Sequence, residues 1–286
     1  MSRVEDEFEE QCASNASGLP HFEAFRGHRE KLTRLLEESG ARGQGSGGEK
    51  LCVLGAGNAY DLELEELLTR FAEVHLVDID AAAVTRARQR VPEGPRARLF
   101  VHAPVDLSGM FHDLERWGRM QVTPQELMAA PAAGARRIAA ALPGPFDVVA
   151  STCLLTQLQL ALLQLIGDRH QLFVALREFL SLTHLRTLAA LTKPGGVALL
   201  VTDLCESACF PPGRPQDDAD LPALMQELVA AGSVIHSSHP ELIKITLGDD
   251  PVLARSFGES EISVPWLWQN GPGHRFLVYG LRLPRS

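Results

Sequence analysis

Short, almost entirely apolar runs alternate along this chain with longer segments whose apolar residues recur every three or four positions. The apolar runs predict strands at residues 51–54, 74–77, 97–103, 146–151 and 197–203. The segments with helical periodicity predict helices at residues 62–71, 81–91 and 170–191. Apolar strands separated by helices are typical of a parallel sheet that is covered on both faces. The pattern therefore predicts an α/β fold with a doubly wound, mostly parallel sheet.

The end of the chain has a different pattern. Residues 262–283 read as a strand, a tight Asn270-Gly271 turn and a long strand, which predicts an antiparallel hairpin. Pro265 lies inside the first of these strands. Because proline has no N–H to donate to a sheet ladder, we expect that strand at the edge of the sheet. With this hairpin the predicted sheet has seven strands, and the last strand is antiparallel.

The first 48 residues precede a main domain of residues 49–286. They are predicted to form a loose leader, an amphipathic helix and a flexible glycine-rich linker, at residues 1–19, 21–39 and 40–48. Two segments of the main domain, about 107–145 and 206–261, fit neither the strand nor the helix alternation. Connections of this length inside a domain are usually lids or small subdomains, so we expect helical cap insertions over the strand ends.

Composition and charge limit the class of protein. The chain has 286 residues, of which 45% are hydrophobic and 22% charged, as in a soluble globular protein. A net charge of −9 argues against nucleic acid as the main partner. The N-terminus lacks an apolar signal run and residues 153–167 are too short and polar to span a bilayer, so we expect a cytoplasmic protein without a membrane partner. The five cysteines are scattered, which predicts free thiols and no metal site.

A glycine turn and a carboxylate carry the candidate chemistry. Gly55 and Gly57 follow the first predicted strand, and Asp78 ends the second. Glycines at a strand end let a ligand approach the backbone, and a carboxylate there can accept both hydroxyls of a ribose. This combination predicts an adenosine-containing cofactor. A nicotinamide dinucleotide requires Gly or Ala where Tyr60 stands, and the acidic helix that follows is a poor neighbour for its diphosphate. S-adenosylmethionine, with its sulfonium and ammonium, tolerates such carboxylates.

At this point the chain resembles the class I S-adenosylmethionine-dependent methyltransferases of small-molecule type. The similar segments are residues 53–59, 74–80, 100–109, 146–158 and 191–203. The resemblance implies that S-adenosylmethionine is the cofactor and that these residues bind it: Gly55, Ala56, Gly57, Asn58, Asp61, Asp78, Ile79, Asp106, Leu107, Ser151 and Thr152. Within that set, Asp78 is implied to hold the ribose and Asp106 the adenine amino group.

The chain departs from the family pattern in three places. Val53 replaces the usual acidic residue before the first glycine, so the contact to the cofactor's amino group is expected from Asp61 or Asn58. Ala59 replaces the third glycine. The fourth strand ends in Ser-Thr-Cys instead of the Asn/Asp-Pro-Pro-aromatic motif of enzymes that methylate exocyclic or amide nitrogens. We therefore expect the substrate to be a small molecule or a peptide side chain.

Several functional readings remain open at this stage. The alternatives are a non-catalytic methyltransferase-like binding protein, a nicotinamide-dependent oxidoreductase and an aminopropyl transferase. No catalytic residue is assigned, although His102, His112 and His274 are candidates for a general base. The family resemblance implies that the helix before the first strand closes over the cofactor, with Phe22, Phe25 and His28 as a lid. Trp266 and Trp268 point to one face of their strand, and we expect them to pack on a helix.

Overall fold

In the computed structural model the chain is described over residues 3–17, 19–40, 48–119, 122–213, 218–271 and 273–286. The described residues form eight strands: β1 Lys50–Leu54, β2 Glu73–Val77, β3 Leu99–His102, β4 Phe146–Thr152, β5 Thr192–Glu206, β6 Glu261–Ile262, β7 Trp266–Gln269 and β8 Arg275–Pro284. They also form twelve α-helices: α1 Arg3–Ser17, α2 Arg26–Ser39, α3 Leu64–Arg70, α4 Ala81–Arg90, α5 Glu93–Arg96, α6 Phe111–Arg119, α7 Pro124–Ala140, α8 Leu154–Ile166, α9 Phe173–Leu191, α10 Leu221–Ala230, α11 Pro240–Asp249 and α12 Pro251–Ser256. Short 3₁₀ turns lie at Leu19–Phe25, Ser207–Cys209 and His236–Ser238.

The strands form one sheet in the order β3-β2-β1-β4-β5-β8-β6, and β7 also pairs with β8. Strands β1 to β5 run parallel, whereas β8 is antiparallel to β5, β6 and β7. The chain starts in the middle of the sheet, winds outward through β2 and β3, and then crosses to β4. The strand order therefore reverses between β1 and β4, where open α/β sheets bind their ligands. The predicted doubly wound, mostly parallel sheet with an antiparallel last strand is confirmed.

The sheet has helices on both faces because the strands are apolar on both faces. In β1, Leu51 and Val53 pack with α2, α3 and α4, whereas Cys52 and Leu54 belong to the core shared with α6 to α12. Asp80 caps α4: its carboxylate accepts the N–H groups of Ala82 and Ala83, both at 2.9 Å. Each short strand is thus buried between two helical layers.

The edge beyond β8 consists of two short pieces, β6 and β7, that pair with the same strand. Pro265 lies in the break between them, and the prediction of an edge strand is confirmed. The predicted tight turn at Asn270-Gly271 is wrong. A wider loop connects β7 to β8, and the Asn270 N–H donates to the His274 carbonyl at 2.9 Å.

Residues 193–196 form an irregularity within β5, since Phe146 of β4 pairs with Thr192 and Val148 pairs with Val197. One further expectation needs correction. Residues 3–17 form a helix and not a loose leader. The predicted glycine-rich linker falls largely on residues 41–47, which lie outside the described residues. Among the helices described, none has the length and apolar character to cross a membrane.

Helix α7 reaches its place through contact between two glycines. A Cβ added at Gly134 would lie 2.8 Å from the Gly109 carbonyl oxygen and 2.8 Å from Thr183 Cγ2. Such distances are well below van der Waals contact. Helix α7 therefore packs closely on α9 because Gly109 and Gly134 have no side chains.

We expect Gly134→Ala to lower the free energy of unfolding by about 1–3 kcal/mol through overpacking, although alanine is the better helix former. Urea unfolding at neutral pH measures the change. Gly248→Ala in α11 is the matched control, because a Cβ there meets nothing within 4 Å. This control should raise stability by about 0.5–1 kcal/mol. A gain in stability for Gly134→Ala would contradict the contact.

Candidate active site

A cavity of about 200 Å³ lies at the carboxyl ends of β1, β2 and β4, where the strand order reverses. Its floor is the loop after β1, and its walls come from the ends of β2 and β4 and from the start of α8. Helix α1 and Phe25, both from the N-terminal part of the chain, cover it. All the predicted cofactor-binding residues except Ser151 line this cavity.

The loop after β1 follows a path that side chains would obstruct. Gly55 and Gly57 have φ angles of +74° and +48°, in the left-handed region. A Cβ at Gly55 would lie 2.9 Å from the Cβ of Leu154, and a Cβ at Gly57 would lie 2.8 Å from Asn15 Oδ1. The N–H groups of Gly55 and Ala56 donate to the Val77 carbonyl at 2.9 and 3.1 Å, which fixes the loop to the end of β2.

Ala59 has a left-handed backbone conformation, which favours glycine. Its φ is +50°, a conformation that costs a non-glycine residue about 1–2 kcal/mol. Arg90 holds it there by donating to the Ala59 carbonyl at 2.8 Å. Val53, the other departure, is fully buried in the core beside α2 to α4. Asp61 also lies in the cavity wall. The site therefore contains an acidic residue, although not at the position of Val53.

Asp78 joins the glycine loop to the start of α4. Its Oδ2 accepts the N–H of Gly57 at 2.7 Å, and its Oδ1 accepts the N–H of Asp80 at 2.9 Å. Burial raises the pKa of the Asp78 carboxyl, and the two N–H donors oppose that rise. Each oxygen keeps a second lone pair, which a pair of ribose hydroxyls can use.

Asp61 is a wall carboxyl with a strongly raised pKa. Burial raises its pKa to about 6, and its own backbone N–H, the Thr152 hydroxyl and then the positive charges of Arg90 and Arg29 oppose the rise. By hydrogen-bond geometry, however, the buried Thr152 Oγ1 has no partner among the described residues. A buried hydroxyl without a partner in a cavity wall indicates a place for a ligand.

Asp106 stands at the far end of the cavity, next to Leu107. Its Oδ1 accepts both the N–H and the hydroxyl of Ser108, at 2.9 and 2.5 Å. Those two bonds use one oxygen of the carboxylate. Ser151 does not line the cavity, so that prediction is wrong. Consecutive residues of a strand point to opposite faces, and the Ser151 hydroxyl lies 2.8 Å from His184 Nε2 under the sheet.

The charged residues of the cavity wall all have the same sign. They are Glu7, Asp61, Asp78 and Asp106, and the described wall contains no lysine, arginine or histidine. A partly enclosed cavity strengthens the electric field of such groups compared with bulk water. The cavity therefore favours a cationic ligand and disfavours an anionic one.

The N-terminal helix α1 is the part of the site that sequence reasoning missed. Asn15 Nδ2 donates to Asp80 Oδ2 at 3.2 Å, and Asn58 Nδ2 donates to the Asn15 carbonyl at 2.6 Å. These bonds hold the helix across the glycine loop. The available signal was the four-residue spacing of Val4, Phe8 and Cys12, which gives an otherwise acidic segment one apolar stripe.

The lid predicted from α2 is only partly in place. Phe25 lines the cavity, whereas Phe22 packs edge-on against Tyr60, with ring centroids 5.2 Å apart. His28 is buried between Trp266 and Trp268, and the Trp266 indole N–H donates to its Nδ1 at 2.9 Å. The prediction that both tryptophans pack on a helix is confirmed, and Trp268 also borders the cavity.

The two insertions contribute little to the cavity, which corrects the predicted caps. Only Leu107 and Phe111 of the first insertion line it, and the second contributes none of the described wall residues. The second insertion packs with α8, α9 and the sheet. The candidate bases His102, His112 and His274 also lie outside the described wall. In the described part of the chain, no group of three or more His, Cys, Asp and Glu side chains is arranged to hold a metal ion.

The strand order and the antiparallel closing strand agree with the fold that the resemblance to class I methyltransferases implies. No protein-family model matches the chain, and no curated protein matches it in sequence.

Among solved structures, the chain is similar to magnesium protoporphyrin IX methyltransferase from Synechocystis PCC 6803 with bound SAM. The identity is 15% and the TM-score 0.45, over 92% of this chain and 80% of that one. It is also similar to the N-methyltransferase NodS from Bradyrhizobium japonicum WM9, with 15% identity and a TM-score of 0.40, over 93% and 97% of the two chains. A third similar structure is geranyl diphosphate methyltransferase in complex with SAM. Its identity is 12% and its TM-score 0.42, over 90% of this chain and 85% of that one. Similarities this low concern only the fold. The chemistry of the site depends on this chain's own residues.

The raised pKa of Asp61 predicts a pH-dependent cost in stability. Between the ordinary value of 3.8 and the folded value of about 6, the folded protein binds a proton that the unfolded chain has lost. Stability therefore falls as the pH rises through that window, and the whole penalty is present above it. We expect Asp61→Asn to raise the free energy of unfolding by about 1–3 kcal/mol at pH 7.

Urea unfolding of the ligand-free protein at about pH 7 and below about pH 4 checks this expectation. The gain should disappear at the lower pH, because the carboxyl is then neutral in both states. Asp168→Asn, at an exposed position, is the control and should change stability little at either pH. An equal gain at both pH values would show that the charge of Asp61 is not the cause.

The attachment of α1 is testable by hydrogen exchange. Asn15→Ala removes the bond to Asp80, worth about 1 kcal/mol, so amide exchange across residues 3–17 should accelerate about fivefold. Glu9→Ala, at an exposed position of the same helix, is the control and should leave the rates near those of the native protein. Unchanged exchange in Asn15→Ala would mean that other contacts hold the helix.

Proposed function

We propose that this protein is an S-adenosylmethionine-dependent methyltransferase that acts on a small molecule or a peptide side chain. One observation carries the proposal: a glycine loop at the switch point of the sheet opens into a cavity whose charged wall residues are all carboxylates. S-adenosylmethionine has two cationic groups, a sulfonium and an ammonium, against one carboxylate. Its net positive charge suits such a wall.

The residues present fit this cofactor group by group. Gly55 and Gly57 line the cavity without side chains, which lets a ligand approach the backbone closely. Asp78 would accept the ribose hydroxyls and Asp106 the adenine amino group. Asp61 would pair with the ammonium, and the Thr152 hydroxyl, which lacks a protein partner, is available for a further hydrogen bond.

A nicotinamide dinucleotide fits the cavity less well. Its diphosphate needs cations or the N-terminus of a helix that follows the glycine loop directly. Here α3 begins only at Leu64, and Glu65 and Glu66 occupy its first turn. Tyr60 stands where the dinucleotide spacing needs a small residue. Four wall carboxylates would also repel the diphosphate.

The chain's own part in methyl transfer is to position the acceptor and exclude water. When bound, S-adenosylmethionine supplies a methyl group on a sulfonium that leaves as a neutral thioether. Helix α1 and Phe25 cover the cavity, and the aromatic side chains of Tyr60 and Trp268 supply an apolar wall for the acceptor. The described wall has no histidine. Because its pKa is raised, the Asp61 carboxyl holds a proton near neutral pH more readily than an ordinary carboxyl does.

Calorimetry with S-adenosylmethionine and S-adenosylhomocysteine tests the proposal. We expect both to bind, and Asp78→Ala to weaken binding by about 1–3 kcal/mol, because the ribose hydroxyls lose their acceptors. Asp147→Asn is the matched control: this carboxylate lies at the opposite, amino-terminal end of the parallel strands, where it accepts the Lys50 N–H at 2.8 Å. The control should bind as the native protein does.

Three outcomes would contradict the proposal or one of its residue assignments. Tight binding of NADH by fluorescence, without binding of S-adenosylhomocysteine, would favour the oxidoreductase. Unchanged affinity in Asp78→Ala would remove Asp78 from the site. Preference for the decarboxylated cofactor over S-adenosylmethionine would favour an aminopropyl transferase instead.

A further inference from the structure

The cavity carries more negative charge than the cofactor can neutralise. Glu7 has no role in the assignment above, yet it lies in the wall with only 4% of its surface exposed. The Gln11 amide donates to its Oε1 at 3.2 Å, and the Gln164 amide nitrogen donates to both of its oxygens at 3.1 Å. These partners are neutral, and burial raises the pKa of the Glu7 carboxyl. A buried carboxylate without a counter-charge favours a cation in the space that it borders.

Five aromatic side chains line the same cavity, and three of them contact one another. Phe25 packs edge-on against Tyr60 and against Trp268, with ring centroids 6.4 and 5.5 Å apart. We call these three residues the aromatic wall. Ring faces attract cations, and Arg90 already lies 4.7 Å from the Tyr60 centroid, outside the cavity lining. Carboxylates and aromatic faces together are the usual surroundings of a bound ammonium group.

The same charge distribution discriminates among acceptor atoms. A hydroxyl or thiol becomes a strong nucleophile by losing its proton, and the resulting anion is destabilised beside other anions. Cys153, which lines the cavity, shows this direction: burial, and then the charges of Asp203 and Asp61, raise the pKa of its thiol. An amine attacks as a neutral group, so the wall does not repel its reactive form, while the wall carboxylates raise the pKa of the ammonium and oppose its deprotonation.

We propose that the acceptor substrate is an organic amine that enters as an ammonium cation and contacts the aromatic wall; this inference rests on the proposed methyltransferase function. The ammonium loses one proton to solvent water. Its nitrogen lone pair then forms the new C–N bond while the C–S bond of the sulfonium breaks. Sulfur keeps that electron pair, and the products are a methylated ammonium and a neutral thioether.

The test compares three ligands of matched shape and different charge: 2-phenylethylamine, 2-phenylethanol and 3-phenylpropanoate. Calorimetry is done on the full chain saturated with S-adenosylhomocysteine. We expect the amine to bind about tenfold or more tightly than the alcohol, as cation–π contact and one carboxylate partner imply, and the carboxylate to bind most weakly. The n-butyl series of the same three groups repeats the comparison without an aromatic ligand.

Variants identify the residues responsible. Trp268→Leu should weaken amine binding about fivefold or more, Trp268→Phe should retain most of it, and alcohol binding should change less in both. Phe25→Leu provides the same comparison if Trp268→Leu fails to fold. Glu7→Gln should reduce the preference for amine over alcohol, whereas Glu9→Gln at an exposed position of α1 should not.

The outcomes separate this inference from the proposed function. If S-adenosylhomocysteine binds but the amine shows no preference, or does not bind at millimolar concentration, the amine inference is wrong and the methyltransferase proposal stands. If S-adenosylhomocysteine does not bind, the proposed function is wrong. The ligand series on the free protein then decides whether the cavity selects cations at all. Preference for 3-phenylpropanoate in any of these conditions overturns the inference.

Discussion

The site depends on one buried carboxylate that holds two segments of backbone. Asp78 accepts the N–H of Gly57 from the loop after β1 and the N–H of Asp80 from the start of α4. Hydrogen bonds to a charged acceptor in a buried place are stronger than those between neutral groups at a surface. The glycine loop, the end of β2 and the first turn of α4 are therefore fixed relative to one another before any ligand arrives. The rest of the cavity is assembled on that frame.

Helix α1 completes the cavity by using the same frame. Asp80, whose Oδ1 caps α4, also accepts from Asn15 through Oδ2, and Asn58 reaches the Asn15 carbonyl from the glycine loop. The cover is thus attached to the two segments that Asp78 joins. Apolar burial at Val4 and Phe8 adds to this attachment. A ligand that displaced the loop would disturb the helix as well, which couples occupancy of the cavity to its closure.

Local patterns in the sequence predict the sheet and the glycine loop well, because short buried strands and their flanking helices leave a signature over a few residues. β1 and β4 begin and end within one residue of the predicted bounds. The errors concern positions that distant contacts decide. Ser151 and Thr152 are adjacent in sequence, but the pleat directs one under the sheet and the other into the cavity. The role of α1 depends on an acceptor 65 residues away. The insertions were expected over the strand ends, but a glycine contact at Gly134 directs α7 onto α9.

The acidic wall affects both the stability of the protein and its selectivity for charged ligands, and both effects have one physical origin. Burial raises the pKa of Glu7, Asp61 and Asp78, so ionisation of these carboxyls is less favourable in the folded protein than in the unfolded chain. A bound cation would interact favourably with the ionised carboxylates and shift their pKa values back toward the ordinary range. The carboxylates lower the stability of the ligand-free protein. By linkage, a cation that relieves this cost binds more tightly. A wall of neutral amides would fold more stably, but it would lose the discrimination between charged ligands that the acidic wall provides.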